Sequence, residues 1–194
     1  MTAHQWYALF HALRGNHTES VEEVTRAREL APYSLSIAID AAEMQYYRAG
    51  TSETGSYNDA IELSHRVLDL HNESGNAQIV LTHAYWMHGE GDDFERAVAI
   101  QTNDTWKGSP QDYARKRAGP RKGSREFDDI QHPHTLSYAR WSAVLNRREE
   151  ALDLLERAYR DHHFGIIYIK AEPFFKNLHD EPRYQELLQK LGLS

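Results

Sequence analysis

The chain has 194 residues, 40% of them hydrophobic, so it can bury one continuous core and does not have the composition of a disordered tail. Its formal net charge of -7 argues against nucleic-acid binding by the surface as a whole, and the absence of cysteine excludes disulfides, thiolate metal sites and cysteine nucleophiles. The apolar runs are too short for a membrane span or a signal peptide, so we expect a cytoplasmic protein with no membrane partner.

Four segments of the chain repeat one spacing of small and turn-forming residues. The first copy consists of Gly15, Ser20, Ala27 and Pro32. The same intervals recur in two further copies, as Gly55, Ala60, Val67 and Asn72, and as Asn146, Ala151, Ala158 and His163. A fourth copy begins at Ala97 but loses the pattern by Asp104. We therefore expect an array of repeated supersecondary units.

Each copy predicts the second helix of a helical hairpin, because its apolar residues recur three and four positions apart. A further helical stretch precedes each copy, over residues 5–13, 36–48, 77–88 and 136–145. Glycine or asparagine between the two helices supplies the turn. Asn16 and Glu19 have the spacing of a capping box at the start of the first copy. Residues 166–169 alone have the composition of a strand, and they lack a pairing partner.

With these residues in phase over a 34-residue spacing, the chain resembles an array of tetratricopeptide repeats. The resemblance implies a single all-α domain over residues 1–194, folded as a right-handed superhelix of helical hairpins. It divides the chain into repeats at about 1–34, 35–74, 75–104 (divergent) and 132–165, an irregular basic connection at 105–131, and a C-terminal cap at 166–194.

The C-terminal segment carries a more specific resemblance. Its pattern consists of Glu172, Pro173, Phe174 and Leu178, followed by residues 181–184 and 191–193. This pattern is similar to the end of tetratricopeptide arrays that follow winged-helix, adenylate-cyclase or serine/threonine-kinase domains in bacterial regulators. Pro182 fits the first turn of a final helix with Asp180 as its cap. Such a helix would cover the exposed core of the last repeat.

The residues that could support catalysis or metal binding lack the required spacing. Twelve histidines are present, but neither the pair His132 and His134 nor the pair His162 and His163 has a carboxylate at a recognisable metal-ligand spacing. The HExxH, Gly-x-Ser-x-Gly and phosphate-loop motifs are absent. We therefore predict no catalytic residue, no metal and no cofactor, and we do not expect an enzyme.

The resemblance instead implies a binding groove, because the first helix of each hairpin lines the inner surface of a tetratricopeptide array. The predicted partner-binding residues are Trp6, Leu9, Asp40, Glu43, Tyr46, Tyr47, His83, Trp86, Met87 and Arg140. Exposed aromatic and methionine side chains are typical anchors for a peptide or a helix, although each aromatic could instead be a core residue between hairpins. Asp40 and Glu43 are harder to bury, so they favour an open, partly acidic groove for a basic or apolar peptide.

One basic segment contrasts with the acidic chain. Residues 107–125 carry a formal charge of +6 and leave -13 on the remainder. Their glycines and prolines break any long helix, so a solvated or mobile connection between repeats is the favoured interpretation. Docking against acidic helices is an alternative. Another is phosphate or nucleic-acid binding by Arg115, Lys116, Arg117, Arg121 and Lys122.

The sequence thus predicts a protein-interaction scaffold of a bacterial regulatory system that binds a peptide or partner protein through the concave face of the array. Nucleic-acid or phosphate binding by the basic segment is the alternative function. A homo-oligomer is compatible with these observations, and the identity of the partner is left open.

Overall fold

The computed structural model describes residues 2–51, 56–89, 92–102, 109–130 and 134–193. Regular structure within these ranges is helical throughout, which confirms the predicted all-α class. The chain divides into two compact units, Met1–Trp106 and Lys107–Ser194, whereas the sequence predicts one array. Residues 103–108, where the divergent third repeat is predicted to end and the basic connection to begin, lie outside the described residues.

The first unit is a series of helices packed in chain order. Its described helices are α1 (Ala3–Arg14), α2 (His17–Leu30), α3 (Leu35–Thr51), α4 (Asn58–Leu70), α5 (Gly75–His88) and α6 (Asp93–Thr102). Each helix packs on the next, and α1 also packs on α3 and α3 on α5. The first helix of each hairpin therefore lies beside the first helix of the following hairpin.

The second unit is built around one hairpin. Its described helices are α7 (Pro110–Arg117), α8 (Arg125–Asp128), α9 (Thr135–Val144), α10 (Arg148–Arg160) and α11 (Pro182–Lys190), with 3-10 helices at Phe164–Tyr168 and Pro173–Leu178. Helices α9 and α10 pack extensively on each other. Helix α7 and the second 3-10 helix pack on α9, and the first 3-10 helix and α11 pack on α10.

The predicted small positions of the repeats are all buried at helix contacts. Ser20 and Ala97 are 1% exposed, and Ala60 and Ala151 are fully buried. The Ser20 hydroxyl also donates a hydrogen bond to the carbonyl oxygen of Ala8 at 2.8 Å, which joins α2 to α1. A larger side chain at these positions would push the helices apart. The repeated spacing in the sequence therefore reflects the need for small side chains where two helices pack closely.

The α1–α2 and α9–α10 turns have one geometry. Gly15 (φ 82°) and Asn146 (φ 54°) adopt the left-handed conformation at the end of the first helix. In each turn the amide of the following residue, Asn16 or Arg147, donates to the carbonyl oxygen five residues back at 2.9 Å. This arrangement is a Schellman motif, in which glycine or asparagine is favoured because other side chains resist a positive φ. The predicted turn residues of the first and fourth repeats are therefore equivalent in structure.

The connections after α2 and α4 also match each other. Ala31 (φ -142°, ψ 67°) and His71 (φ -141°, ψ 70°) end their helices in the same backbone conformation. The carbonyl oxygen of each accepts a hydrogen bond at 3.0 Å from the amide three residues on, that of Ser34 or Ser74. The first and second predicted repeats thus correspond in backbone geometry as well as in sequence.

The predicted capping box at the start of α2 is wrong. The Asn16 side chain makes no capping hydrogen bond, and its amide nitrogen instead lies 3.5 Å from Nδ1 of His11. The backbone of Asn16 already closes the preceding Schellman motif, which sets the residue at φ -87° and ψ 69°. A capping box forms instead at α7, where Ser109 and Asp112 exchange hydrogen bonds.

Residues 166–169, which have the composition of a strand, lie in and just after the 3-10 helix Phe164–Tyr168. Nδ1 of His163 accepts a hydrogen bond from the amide of Gly165 at 3.1 Å and so caps this helix. Short 3-10 segments commonly satisfy backbone groups in tight connections, where a strand would need a partner. The local apolar composition therefore reflects burial against α10.

The final helix covers the end of the second unit. Pro182 occupies its first turn as predicted, but Glu181 rather than Asp180 is the residue at its cap, and Glu181 makes no side-chain cap hydrogen bond. Tyr184 is fully buried, and its hydroxyl donates to the carbonyl oxygen of Ile169 at 2.8 Å. Aromatic burial and this hydrogen bond fix α11 to the chain that precedes it.

A single arginine also fixes α11 to α10. The Arg183 guanidinium donates to three carboxylates on one side of α10, at 2.9 Å to Glu149, 2.7 Å to Asp153 and 2.9 Å to Glu156. Hydrogen bonds to Glu156 and Asp153 raise the pKa of Arg183. Burial alone would raise the pKa of Asp153, but hydrogen bonds from Lys122 and Arg183 lower it overall.

Candidate functional site

The three first helices of the hairpins in the first unit share one surface, which we call the α1–α3–α5 face and define by Gln5, Asp40, Glu43 and His83. Nε2 of Gln5 on α1 donates to Oδ2 of Asp40 on α3 at 2.6 Å. The ring of Tyr46 on α3 lies 6.0 Å, centroid to centroid, from the ring of His83 on α5. These contacts join the three helices side by side, as the resemblance implies for a groove.

Asp40 is a half-buried carboxyl of this face. Burial raises its pKa, and the hydrogen bond from Gln5 offsets part of that effect. Gln5 is itself fully buried, and its Oε1 atom has no hydrogen-bond partner among the described residues. Gln5 therefore keeps one buried acceptor that no described residue satisfies.

Glu43 lies one helical turn after Asp40 and thus on the same side of α3. Its Oε1 atom accepts a hydrogen bond from the hydroxyl of Tyr47 at 2.7 Å. Because Tyr47 is only 3% exposed, this bond fixes the carboxylate against the hairpin core. The two carboxyls are therefore presented in a defined arrangement, as the sequence predicts for an acidic groove.

The prediction that Tyr46 and Tyr47 are groove anchors is wrong, since both belong to the core. Tyr46 is 2% exposed and Tyr47 is 3% exposed. The Tyr46 ring packs at 5.5 Å from that of Tyr47 and at 5.8 Å from that of Tyr57. Both side chains fill the space between successive hairpins, which is the alternative that the sequence left open for every aromatic of the groove.

The remaining predicted groove residues of the first unit differ in accessibility. Trp6 is 59% exposed, and its side chain makes no hydrogen bond, ion pair or ring contact with a described residue. Leu9, His83, Trp86 and Met87 are half-buried. The Trp86 ring packs on the ring of Phe94 in α6 at 5.6 Å, so it turns toward the next helix of its hairpin.

Arg140, the predicted groove residue of the fourth repeat, belongs to the second unit. Its Nε atom donates to Oε2 of Glu172 at 2.7 Å, and Glu172 is 3% exposed. A buried carboxylate of this kind requires a paired cation. Arg140 therefore stabilises the chain that leads into the second 3-10 helix, a role that the sequence did not predict.

The basic segment, defined as residues 107–125, contains regular structure where the sequence predicts an irregular connection. Helix α7 begins with Pro110 in its first turn, where a missing amide donor costs little, and Ser109 caps it. The three cations Arg115, Lys116 and Arg117 lie in its last turn, where they oppose the helix dipole favourably. The glycines and prolines thus bound a short helix instead of preventing one.

The end of the basic segment is docked on α10. The Arg121 guanidinium lies 3.0 Å from Oε1 of Glu150, and the amide of Lys122 donates to the same oxygen at 3.3 Å. Nζ of Lys122 lies 2.7 Å from Oδ2 of Asp153. This is the docking against acidic helices that the sequence offered as an alternative, and it replaces the favoured interpretation of a solvated connection for Arg121 and Lys122.

Gly119 and Gly123 provide a matched test of how the basic segment packs on α9. Both have positive φ, at 69° and 88°, so alanine at either position costs about 1–2 kcal/mol of backbone strain. A Cβ atom at Gly119 would also lie 2.9 Å from Cε1 of Tyr138, whereas one at Gly123 would meet nothing within 4 Å. We therefore expect Gly119→Ala to destabilise the second unit by about 1–3 kcal/mol more than Gly123→Ala in urea unfolding. Equal losses would mean that the segment does not pack on α9.

Glu150 is the anchor of the docked segment, and the sequence did not identify it. It is 7% exposed and faces two cations, Arg121 and Arg147. Glu150→Gln keeps the shape and removes the charge, so we expect hydrogen exchange at the amide of Lys122 to accelerate about tenfold as the segment opens. Glu126→Gln, at an exposed position of α8, is the control and is expected to leave that amide unchanged. Unchanged protection in Glu150→Gln would contradict the docking.

Of the residues predicted to bind anions, Arg121 and Lys122 are thus paired with carboxylates. Arg115 pairs with Asp112 at 2.6 Å. Nε of Arg117 is buried and has no hydrogen-bond partner among the described residues. Lys116 is exposed on α7. Arg121 and Lys122 therefore help to hold the segment on α10, whereas Arg115, Lys116 and Arg117 belong to α7.

The histidine pairs do not form a metal centre in the described part of the chain. His132 lies outside the described residues, and His163 is occupied with the cap of the first 3-10 helix. Within the ranges that the structure describes, no group of three histidine, aspartate or glutamate side chains is arranged to hold a metal ion. Nor does any described helix combine the length and apolar character that crossing a membrane requires.

Comparison with known proteins adds no family to this description. No protein-family model, no curated protein and no solved structure matches the chain. The functional interpretation therefore rests on the geometry of the α1–α3–α5 face and of the basic segment.

Proposed function

We propose that the chain is a tetratricopeptide-like interaction module that binds a basic peptide segment of a partner protein through the α1–α3–α5 face. The equivalent turns and the buried small residues of the repeats support the tetratricopeptide assignment and a right-handed superhelical arrangement. The resemblance of the C-terminal segment to bacterial regulators supports a regulatory role in the cytoplasm. The observation that carries the proposal is the half-buried Asp40 carboxyl, whose pKa is raised by burial.

A lysine or arginine side chain of the ligand would complete this site. In the free protein the ionised form of Asp40 lacks a cationic partner on the face, and its burial is offset by one amide hydrogen bond. A ligand cation donates a charge-assisted hydrogen bond to Asp40, and it also attracts the nearby carboxylate of Glu43 electrostatically. This electrostatic stabilisation arises only when the ligand binds, as expected of a binding site that lowers the stability of the free protein.

Asp40→Asn separates this role from a role in folding. Because the pKa of Asp40 is raised in the folded state, ionisation of Asp40 lowers the stability of the wild type as the pH rises through that pKa. Asparagine can still accept the hydrogen bond from Gln5 and has no charge to bury. We therefore expect Asp40→Asn to be at least as stable as the wild type at neutral pH in thermal unfolding, and to lose this pH dependence.

The same variant should lose binding. A fluorescein-labelled peptide of alternating lysine and leucine is the probe, and its anisotropy gives the affinity. We expect Asp40→Asn to weaken binding about tenfold and the wild-type affinity to fall as the pH drops through the pKa of Asp40, because the protonated carboxyl attracts the cation less. Asp69→Asn, at an exposed position on α4, is the control. Equal binding by both variants would reject the site.

Anion or nucleic-acid binding by the basic segment is a second candidate, supported by the three cations Arg115, Lys116 and Arg117 in the last turn of α7. Replacing Arg115, Lys116 and Arg117 together by alanine should abolish any salt-dependent binding of DNA or RNA. Absence of such binding in the wild type, or its persistence in the triple variant, removes this candidate.

A further inference from the structure

A second concave surface lies in the first unit, away from the middle of α1, α3 and α5. It is a depression of about 480 Å³ between the end of α2, the start of α3 and the end of α4. We call it the α2–α4 depression and define it by Arg28, Tyr33, Leu63, Arg66 and Leu70. Its volume lies in the range of sites that accept a large side chain or a short peptide segment.

The rim of the α2–α4 depression exposes large apolar side chains. Tyr33 is 99% exposed and Leu70 is 80% exposed. Leu30, which precedes the lining residue Ala31, is 67% exposed. Leu30 and Leu70 end equivalent helices of two successive repeats, so the repeat geometry itself brings this apolar surface to one edge of the unit. Clustered exposed apolar side chains around a depression are typical of a protein-binding surface.

The charges of the α2–α4 depression are of one sign. Its ionisable lining residues are Arg28, Arg66 and His71, and none of the lining residues is acidic, although the whole chain carries a net charge of -7. Arg66 is engaged by Glu62 on the same helix. The side chain of Arg28 makes no hydrogen bond, ion pair or ring contact with any described residue. A half-buried guanidinium next to an apolar depression is therefore available to a ligand carboxylate.

We propose that the α2–α4 depression binds an acidic segment of a partner protein, with an apolar side chain of that segment seated against Leu63 and Leu70 and a neighbouring carboxylate paired with Arg28. Charge complementarity selects this occupant, because the charged side chains that line the depression are basic and would repel a basic segment. The site is independent of the proposed binding of basic peptides to the α1–α3–α5 face, and the two ligands have opposite charge.

The test uses the full chain and a fluorescein-labelled peptide in which glutamate alternates with leucine. We expect micromolar binding of this probe by anisotropy, and an affinity about tenfold lower for Arg28→Glu and for Leu70→Ser. Both side chains project from the surface of formed helices, so thermal unfolding should show that the variants fold. Affinity should also fall with rising salt concentration, since the carboxylate contact is at the surface.

The controls change the same chemistry elsewhere. Phe164→Ser removes an exposed apolar side chain (78% exposed) from the second unit, and Arg125→Glu reverses an exposed charge there. Both should bind the acidic probe as the wild type does, and so should Asp40→Asn, which distinguishes failure here from failure at the α1–α3–α5 face. The proposal would be overturned if the acidic probe did not bind at millimolar protein, or if Arg28→Glu bound it as the wild type does. It would also be overturned if a lysine-leucine peptide bound with the same affinity as the acidic probe and Asp40→Asn did not weaken that binding.

Discussion

Trp141→Ala is expected to destabilise the second unit by about 3–5 kcal/mol, the usual cost of removing a large aromatic side chain from a core. Trp141 is 2% exposed. Its ring packs edge-on at 5.6 Å from the ring of Tyr113 and at 5.6 Å from that of Phe174. It therefore joins α9 to both α7 and the second 3-10 helix.

Urea unfolding followed by near-ultraviolet circular dichroism measures this loss. Phe164→Ala, which removes an aromatic that is 78% exposed, should change stability by less than about 0.5 kcal/mol. We expect helix α7 to detach first in the Trp141→Ala variant, since its contact with α9 depends on the Tyr113 ring. A loss below about 1 kcal/mol would mean that the unit repacks around the cavity and that the core is less specific than its geometry indicates.

Tyr46→Ala should have a similar effect on the first unit, again about 3–5 kcal/mol. Its ring contacts those of Tyr47, Tyr57 and His83, so it connects α3 with the chain before α4 and with α5. The matched variant is Trp6→Ala, which removes a larger aromatic that is 59% exposed. Here we expect less than about 1 kcal/mol, because the exposed part of the ring is not removed from water on folding.

Thermal and urea unfolding of the two variants decide whether Tyr46 is a core residue or a ligand anchor. If Tyr46→Ala retained wild-type stability and lost affinity for the basic probe, the original prediction of a groove tyrosine would be restored. Peptide binding measured on the folded fraction separates the two effects, since a core defect lowers the amount of folded protein and leaves its affinity for the probe unchanged.

The repeats could be predicted from the sequence because their signal is local. Positions such as Ala60 and Ala151 must be small wherever two helices cross closely, and Gly15 and Asn146 must tolerate a positive φ wherever the hairpin turns. Each requirement is imposed by residues within one hairpin. Composition and spacing therefore sufficed for the all-α class, but not for α7 and α8, which lie where the sequence predicts an irregular connection.

The side of a helix that a large aromatic faces could not be predicted in the same way. Tyr46 and Tyr47 are adjacent in the sequence, as are Gln5 and Trp6, yet three of these four side chains are buried and Trp6 is not. Which of them is covered depends on the partner helix, and periodicity cannot name that partner. Asp40 is half-buried, in keeping with the rule that a carboxyl is seldom fully buried.

The docking of the basic segment could be named from the sequence only as one alternative, for a related reason. Glu150 contacts the amide of Lys122 across 28 residues, and no local pattern links the two. One signal was present, however. Glu149, Asp153 and Glu156 recur four and three residues apart, so they form an acidic stripe that had to meet cations from elsewhere in the chain. The excess of basic residues in residues 107–125 and the arginine of α11 are those cations.

The acidic stripe on α10 gives α11 an electrostatic role, in addition to its role of covering the apolar core. With Arg183 removed by a cut before Pro182, the carboxylates of α10 would repel one another along its outer surface, with Lys122 as the remaining cation at Asp153. Protonation relieves such repulsion, so the shortened protein would gain less stability from neutral pH than the intact chain does. In the intact chain, hydrogen bonds from Lys122 and Arg183 outweigh the effect of burial and lower the pKa of Asp153, which adds stability at neutral pH that is lost as the pH falls through that pKa. Proteolysis at one exposed turn would thus weaken the destabilising effect of acid on this helix.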